Sequence, residues 1–334
     1  MKTGAHSENR QIFYSPLRAI PLGPAKLCLH VTTIGALGQA EGIYKMMDCA
    51  IHAILAPSHL PMSISSAVTV ALASEVQGGP FVHHTNLKGL DPLFARLRKL
   101  GFPGVEIFPR TPEDIDPAFL KPLLENHGLR LAAVGTGAGW VVHKLRLSDP
   151  DATRRACAVE FVRALIQRAG ALGAPVIIGS MQGKSDPDGK EPTMARLRES
   201  VGILARESAA VGQKLLVEPL NRYESDLLNR VGDVCALADE VGEKAVSVLA
   251  DLFHMNIEET DIARALLDCG AQLGHVHLAD SNRLAAGFGH TAMAPIFAAL
   301  KSIGYSGFVS AEVFPRPDAD AAMMATLKTW FELA

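Results

Sequence analysis

Four short runs decide how this chain reads: LLVEP at 215–219, SVLAD at 247–251, HVHLAD at 275–280 and VSAEV at 309–313. Each is apolar until its end, where it sets down a polar side chain: Glu218, Asp251, His277 and Glu312. These stand about 33, 26 and 35 residues apart, the length of one strand plus one helix in a parallel barrel. In such a barrel the carboxyl ends of neighbouring strands converge on one mouth, where active sites are built. Alternate residues of a barrel strand point inward. Leu216 therefore shares a face with Glu218, Leu249 with Asp251, Ser310 with Glu312, and His275 with His277. Three carboxylates and an imidazole gathered without partners would cost too much to desolvate, so a divalent cation is the natural counterweight. The oxygen-rich set favours Mn²⁺, Co²⁺ or Mg²⁺ over a structural zinc, which prefers Cys and His in a closed tetrahedron. Mn²⁺ is the expected ion.

Working outward, the same kind of apolar run recurs upstream as VTVAL (68–72), GVEIF (104–108), LRLAAVG (129–135) and PVIIG (175–179). With KLLVEP, VSVLAD, LGHVHLAD and GFVSAEV that makes eight. Helical spacing lies between them: Leu93 and Leu97, then Cys157, Phe161 and Leu165, then Met194, Leu197, Val201 and Leu204. Glycine turns such as LGFPG, LGAP and IGYSG close helices just before the next strand. The prediction is a single (β/α)₈ TIM barrel over residues 62–334. A doubly wound open sheet is the alternative, and it leaves four successive polar strand ends unexplained.

Residues 1–61 fall outside this rhythm. They hold only three acidic residues (Glu8, Glu41, Asp48), four histidines and no clean apolar period. They fit neither a transit peptide nor a secretory signal, and Met62 stands directly before the first strand. The reading is a non-core extension, with an over-long start as its simplest origin.

The 334 residues are 48% hydrophobic and 20% charged, with a formal net charge of −3. That balance gives no electrostatic footprint for nucleic acid or an anionic membrane, and no run approaches the roughly 18 apolar residues of a membrane span. Five scattered cysteines without a CxxC pair read as reduced, buried thiols of a cytoplasmic protein.

A second tier of polar residues follows the same strand ends. VEPLNRYESDLLNR places Glu224 six residues beyond Glu218, DLFHMNIEE places His254 three beyond Asp251, and HLADSNR places Arg283 six beyond His277. Upstream, Glu106 of GVEIF points to the mouth, where it reads as a partner of the ligand cluster or a substrate contact. Trp140 of GTGAGW reads as an apolar wall of the substrate pocket. Lys184 of GSMQGKSDPDGK is either a phosphate contact or, more simply, a solvated loop residue.

At these motifs the chain resembles the xylose-isomerase-like sugar isomerase/epimerase superfamily, and within it the ketose 3-epimerases that act on tagatose and psicose. The resemblance covers about residues 66–334 and is most specific in EPLNRYE, DLFHMNIEE, HVHLADSNR, GFGH and SAEVFP. It implies that Glu218, Asp251, His277 and Glu312 bind the metal, and that Glu218 and Glu312 double as the acid/base pair. It also implies that Glu224, His254 and Arg283 hold the O1–O3 end of a small sugar, in a homo-oligomer such as a dimer or tetramer. The chemistry agrees: taking a proton from carbon beside a carbonyl needs a base within reach and a Lewis acid for the developing charge.

Other activities of the same superfamily stay open, namely inosose dehydratase, hydroxypyruvate isomerase and 3-dehydroshikimate dehydratase, since a shared fold does not fix function. An abasic-site endonuclease would need more strand-end histidines and a basic face. A non-catalytic sugar-binding barrel would not need both Glu218 and Glu312. The loops GTGAGW and GSMQGKSDPDG match no particular epimerase, so the half of the site that selects the sugar is the less determined half.

Overall fold

The computed structural model describes residues 64–73, 75 and 78–334; the expected non-core segment 1–61 lies outside them. The strands are β1 (Ser65–Ala71), β2 (Gly104–Phe108), β3 (Arg130–Gly135), β4 (Val176–Ile178), β5 (Leu215–Val217), β6 (Val246–Asp251), β7 (Leu273–His277) and β8 (Phe308–Ala311). All pair in parallel in chain order, and β1 closes on β8 with Ala67 opposite Ser310 and Val68 opposite Ala311. All eight expected runs are thus strands of one closed barrel. A two-residue strand, His83–His84, adds to β1 beside Val70 and Ala71; it is too short to carry a period.

The helices are α1 (Leu90–Leu100), α2 (Pro117–His127), α3 (Gly137–Val141), α4 (Ala152–Gly170), α5 (Lys190–Ala210), α6 (Val231–Val241), α7 (Leu252–Glu258), α8 (Ile262–Cys269), α9 (Met293–Ser302) and α10 (Ala319–Leu333). The apolar spacing seats most of them as read. α1 buries Leu93 and Leu97 and stops at Gly101, whose φ of 98° needs glycine. α5 buries Leu197, Val201 and Leu204. α4 departs from its reading: Ala158, Val162 and Leu165 form the buried stripe, and Cys157 is exposed. One position of rotation separates the two faces, and small alanines on the inner one hid the difference. Among the described residues no helix is long and apolar enough to cross a membrane.

The inside of the barrel is divided, and that division positions the site. One side is an apolar layer of Ala133, Ile177, Leu216 and Leu249. The other is buried and polar, with Glu106, His275, His277 and Ser310. Polar side chains at that depth must pair with one another, and they do so directly below the mouth.

Candidate active site

Each of the four strand-end side chains is placed by its strand and the turn after it. Glu218 follows β5, its N–H donating to the Ile178 carbonyl at 2.9 Å. Gly179, just after β4, makes room for it: a Cβ there would lie 2.5 Å from Glu218 Oε2. Asp251 ends β6 and also caps α7, its Oδ1 accepting from the Phe253 N–H at 2.8 Å, which leaves Oδ2 facing the barrel axis. His277 ends β7, and Glu312 follows β8. Both glutamates are 6% exposed; Asp251 and His277 are fully buried.

Glu106 fixes His277 from below. His277 Nε2 lies 3.0 Å from Glu106 Oε1, and His275 Nε2 lies 2.7 Å from Glu106 Oε2 and 3.1 Å from Ser310 Oγ. A carboxylate can only accept, so His277 Nε2 carries a proton, and Nδ1 is the ring atom turned to the mouth. The two imidazoles outweigh burial, which alone would raise it, and hold the Glu106 carboxyl well below the usual carboxylate range.

His277 Nδ1 then stands 3.6 Å from Glu218 Oε1, 3.6 Å from Asp251 Oδ2 and 3.4 Å from Glu312 Oε2. These approaches lack the distance or alignment of hydrogen bonds. Glu218 Oε1, Asp251 Oδ2 and His277 Nδ1 are buried with no hydrogen-bond partner. One donor atom from each of Glu218, Asp251, His277 and Glu312 lies within 4.8 Å of the others. Ligand distances of about 2.0–2.6 Å suit that spacing.

Charge gives the same answer. Three clustered carboxylates, with Glu224 close by, face one guanidinium, Arg283, an excess of negative charge that a divalent cation would offset. Burial, assisted by the charge of Glu312, raises the Glu218 pKa despite the nearby imidazoles. For Asp251 burial also pushes upward, but His254, His277 and Arg283 outweigh it and hold the carboxyl below its usual range. Orphaned donors, spacing, charge and hard oxygen chemistry all fit a divalent metal. The second compact group, Glu106, His275 and His277, is closed by its own hydrogen bonds.

The second-tier residues surround this cluster. His254 Nδ1 accepts from Asn221, from the backbone N–H at 3.2 Å and from Nδ2 at 2.8 Å. Its Nε2–H is thereby turned toward Glu218 Oε1 and Asp251 Oδ2, each 3.7 Å away. Asn221 also donates to Glu224 Oε1 at 2.8 Å. Sequence reasoning missed Asn221, although it lies inside the EPLNRYE motif; an asparagine three residues before a glutamate was the available signal.

Arg283 donates to Glu312 Oε2 at 2.7 Å, approaches Asp251 at 3.6 Å and Glu224 at 3.5 Å, and lies over the Phe253 ring at 4.7 Å. Its own φ is +58°, a left-handed conformation in a residue with a side chain, which costs about 1–2 kcal/mol. Asp280 imposes it. The Asp280 carboxylate accepts from the N–H groups of Ser281, Gly287 and Thr291 at 2.7–2.9 Å, and its carbonyl accepts from the Arg283 N–H at 2.8 Å. Burial pushes the Asp280 pKa up, but the backbone donors outweigh it and lower the carboxyl. Asp280 is thus a second functional residue not singled out beforehand, despite standing in HLADSNR.

A cavity of about 400 Å³ opens above the cluster. Its polar end carries Glu218, Glu224, His254, Arg283 and Glu312. Its far wall is apolar, with Pro80, Phe81, Phe108, Val141, Ile177 and Leu220. Two expected substrate contacts fall elsewhere. Trp140 does not line the cavity; it is 39% exposed with Lys144 above its ring, and its neighbour Val141 on the short helix α3 lines the cavity instead. Glu106 lies beneath the cluster, fully buried and off the cavity wall, because the strand register sets it level with the two imidazoles. Lys184 donates to the Tyr223 carbonyl at 3.0 Å on the loop surface.

Comparison with known proteins agrees with this geometry. Residues 94–331 match the family model described as a xylose isomerase-like TIM barrel. The chain is 31% identical to an L-ribulose 3-epimerase of Methylomonas sp. (strain DH-1) over 249 residues, covering 73% of this chain and 85% of the relative. It is 30% identical to a D-psicose 3-epimerase of Agrobacterium fabrum over the same shares of both chains. A crystal structure of a D-allulose 3-epimerase from Methylomonas sp. superposes with a TM-score of 0.67 at 25% identity, over 80% of this chain and 98% of the other. The chain is an isomerase-class enzyme and belongs to the xylose isomerase-like TIM barrel family.

Proposed function

We propose that this enzyme is a metal-dependent ketose 3-epimerase, with Glu218, Asp251, His277 and Glu312 as ligands of one divalent cation, Mn²⁺ by preference. The observation that carries the reading is the meeting of two glutamates with a third carboxylate and an imidazole, donor atoms within 4.8 Å, at the floor of a sugar-sized cavity. The relatives named as ketose 3-epimerases support it. The four donor side chains stand at the carboxyl ends of four successive strands, β5 to β8.

Glu218, Asp251, His277 and Glu312 would hold the cation, which would supply Lewis-acid stabilisation of the charge that develops as C3 loses its proton. The remaining work falls to side chains. One of Glu218 and Glu312 removes the C3 proton, and the other returns a proton to the opposite face. C3 becomes planar between the two steps, so its configuration inverts. Arg283, anchored on Glu312 at 2.7 Å, orients that carboxylate, and with Glu224 and His254 it binds the O1–O3 end of the sugar. The apolar wall of Phe81, Phe108 and Ile177 receives the far end.

The test is incubation of the metal-loaded enzyme with a panel of free ketoses, followed by NMR. Appearance of the C3 epimer in a substrate pair supports the reading. Loss of water from the substrate would place the enzyme among the dehydratases, and aldose formation among the isomerases.

A further inference from the structure

Two cysteines on the outer helical layer meet in a way that the activity does not use. Cys235 of α6 and Cys269, the last residue of α8, bring their sulfurs to 3.9 Å. Cys269 is buried, whereas Cys235 is half-buried and lines a small surface cavity of about 250 Å³ with Arg230, Asp233, Glu259 and Asp268. One sulfur of the pair is therefore reachable by a small solute, and the other waits behind it. A disulfide needs the sulfurs at about 2.05 Å. The sulfurs must approach by roughly a further 2 Å to reach it.

We propose that Cys235 and Cys269 are a modification site, an intrachain thiol pair closed to a disulfide by hydrogen peroxide. The Cys235 thiolate attacks a peroxide oxygen; the O–O bond breaks, Cys235 becomes a sulfenic acid, and the departing hydroxide takes up the proton that the thiol released and leaves as water. The Cys269 sulfur then attacks the Cys235 sulfur. The S–O bond breaks, and the departing hydroxide takes the Cys269 proton as a second water. Two thiols lose two electrons and one peroxide gains them.

The roles follow from position. The sulfur contact with Cys269 lowers the Cys235 thiol, which favours it as the attacking thiolate, and the same contact together with burial raises Cys269. The bridge would close a ring of about 35 residues, 235–269, which contains Asp251 and His254. Removing that loop's freedom from the unfolded chain raises the melting temperature by about 5–10 °C. The proposal stands apart from the epimerase reading, because neither sulfur touches the cavity above the cluster.

The experiment treats the dilute full-length protein with a small excess of hydrogen peroxide. Peptides are then mapped by mass spectrometry without reduction, and melting is followed with and without dithiothreitol. The expected result is a linked peptide pair containing Cys235 and Cys269, and a higher melting temperature that dithiothreitol reverses. Both should be absent from Cys235→Ser and from Cys269→Ala, and both kept in Cys157→Ser. Sulfinic acid at Cys235 without a linked peptide, linkage to a different cysteine, no oxidation at all, or a melting rise that survives in Cys235→Ser would each overturn the proposal.

Discussion

Replacing Glu106 tests whether the support beneath the cluster sets its chemistry. Glu106 is fully buried, and its two oxygens accept from His275 at 2.7 Å and His277 at 3.0 Å. Glutamine keeps one acceptor but turns an NH₂ toward the other imidazole, so one ring must change tautomer. If that ring is His277, the proton moves to Nδ1, the atom that faces Glu218, Asp251 and Glu312. Loss of such a supporting carboxylate typically weakens metal binding about 10–100-fold, or about 1.4–2.8 kcal/mol. Alanine goes further and leaves the buried His277 N–H unpaired, at about 1–3 kcal/mol, whereas His275 keeps Ser310 Oγ at 3.1 Å. Taking about 2 kcal/mol, at about 2–4 °C per kcal/mol, Glu106→Ala should melt about 4–8 °C below wild type. Glu106→Gln should melt less than half as far below. Titration calorimetry of chelator-stripped protein with Mn²⁺ measures the first effect, and thermal denaturation the second. Binding within twofold of wild type in Glu106→Gln, or melting within about 2 °C of wild type in Glu106→Ala, would refute the assigned role.

Three further outcomes are expected. A chelator should abolish activity and Mn²⁺ or Co²⁺ should restore it; His277→Ala should bind metal more weakly, and the exposed Cys157→Ala should bind as wild type. Full activity after exhaustive dialysis against chelator would contradict this. Arg283→Ala should raise KM, and because it also releases Glu312 it should lower kcat; steady-state kinetics showing neither change would remove Arg283 from the site. Asp280 has a lowered folded pKa, so its contribution to stability is complete above the usual carboxylate range and is lost as pH falls through the folded value. The melting gap between wild type and Asp280→Asn, open at pH 7, should therefore close below about pH 4. A gap unchanged to pH 3 would refute the role of Asp280.

Strand positions were legible because barrel strands carry a strong signal, an apolar run with glycine or proline beside it, and all eight runs are strands. The four converging side chains were legible for a related reason. Two-residue periodicity fixes which side chains enter the barrel, and a polar residue at the end of an apolar run stands out. Depth and lateral placement were not. Glu106 points inward as read, but whether it meets substrate or ligand depends on the strand register, which sets Asp251 opposite His277. Trp140 and Val141 are adjacent in sequence, and only the direction of α3 decides that Val141 faces the cavity. The Cys235–Cys269 contact spans about 34 residues and arises from helix packing that no local pattern encodes. Cys157 shows the same limit within one helix, where a single position of rotation separates a buried face from an exposed one.

Proton exchange at C3 addresses the pairing of Glu218 and Glu312 most directly. In deuterated water with saturating metal, the wild-type enzyme should place deuterium at C3 of both epimers of its ketose. Glu218→Gln and Glu312→Gln should each abolish epimerisation, since a general acid or base typically contributes about 10²–10⁴-fold. Each variant should still exchange the C3 proton of one epimer, the one whose hydrogen faces the surviving carboxylate, and the two variants should select opposite epimers. If C3 of the wild-type product carries no deuterium, or if both variants epimerise at near-native rates, Glu218 and Glu312 are not the acid/base pair.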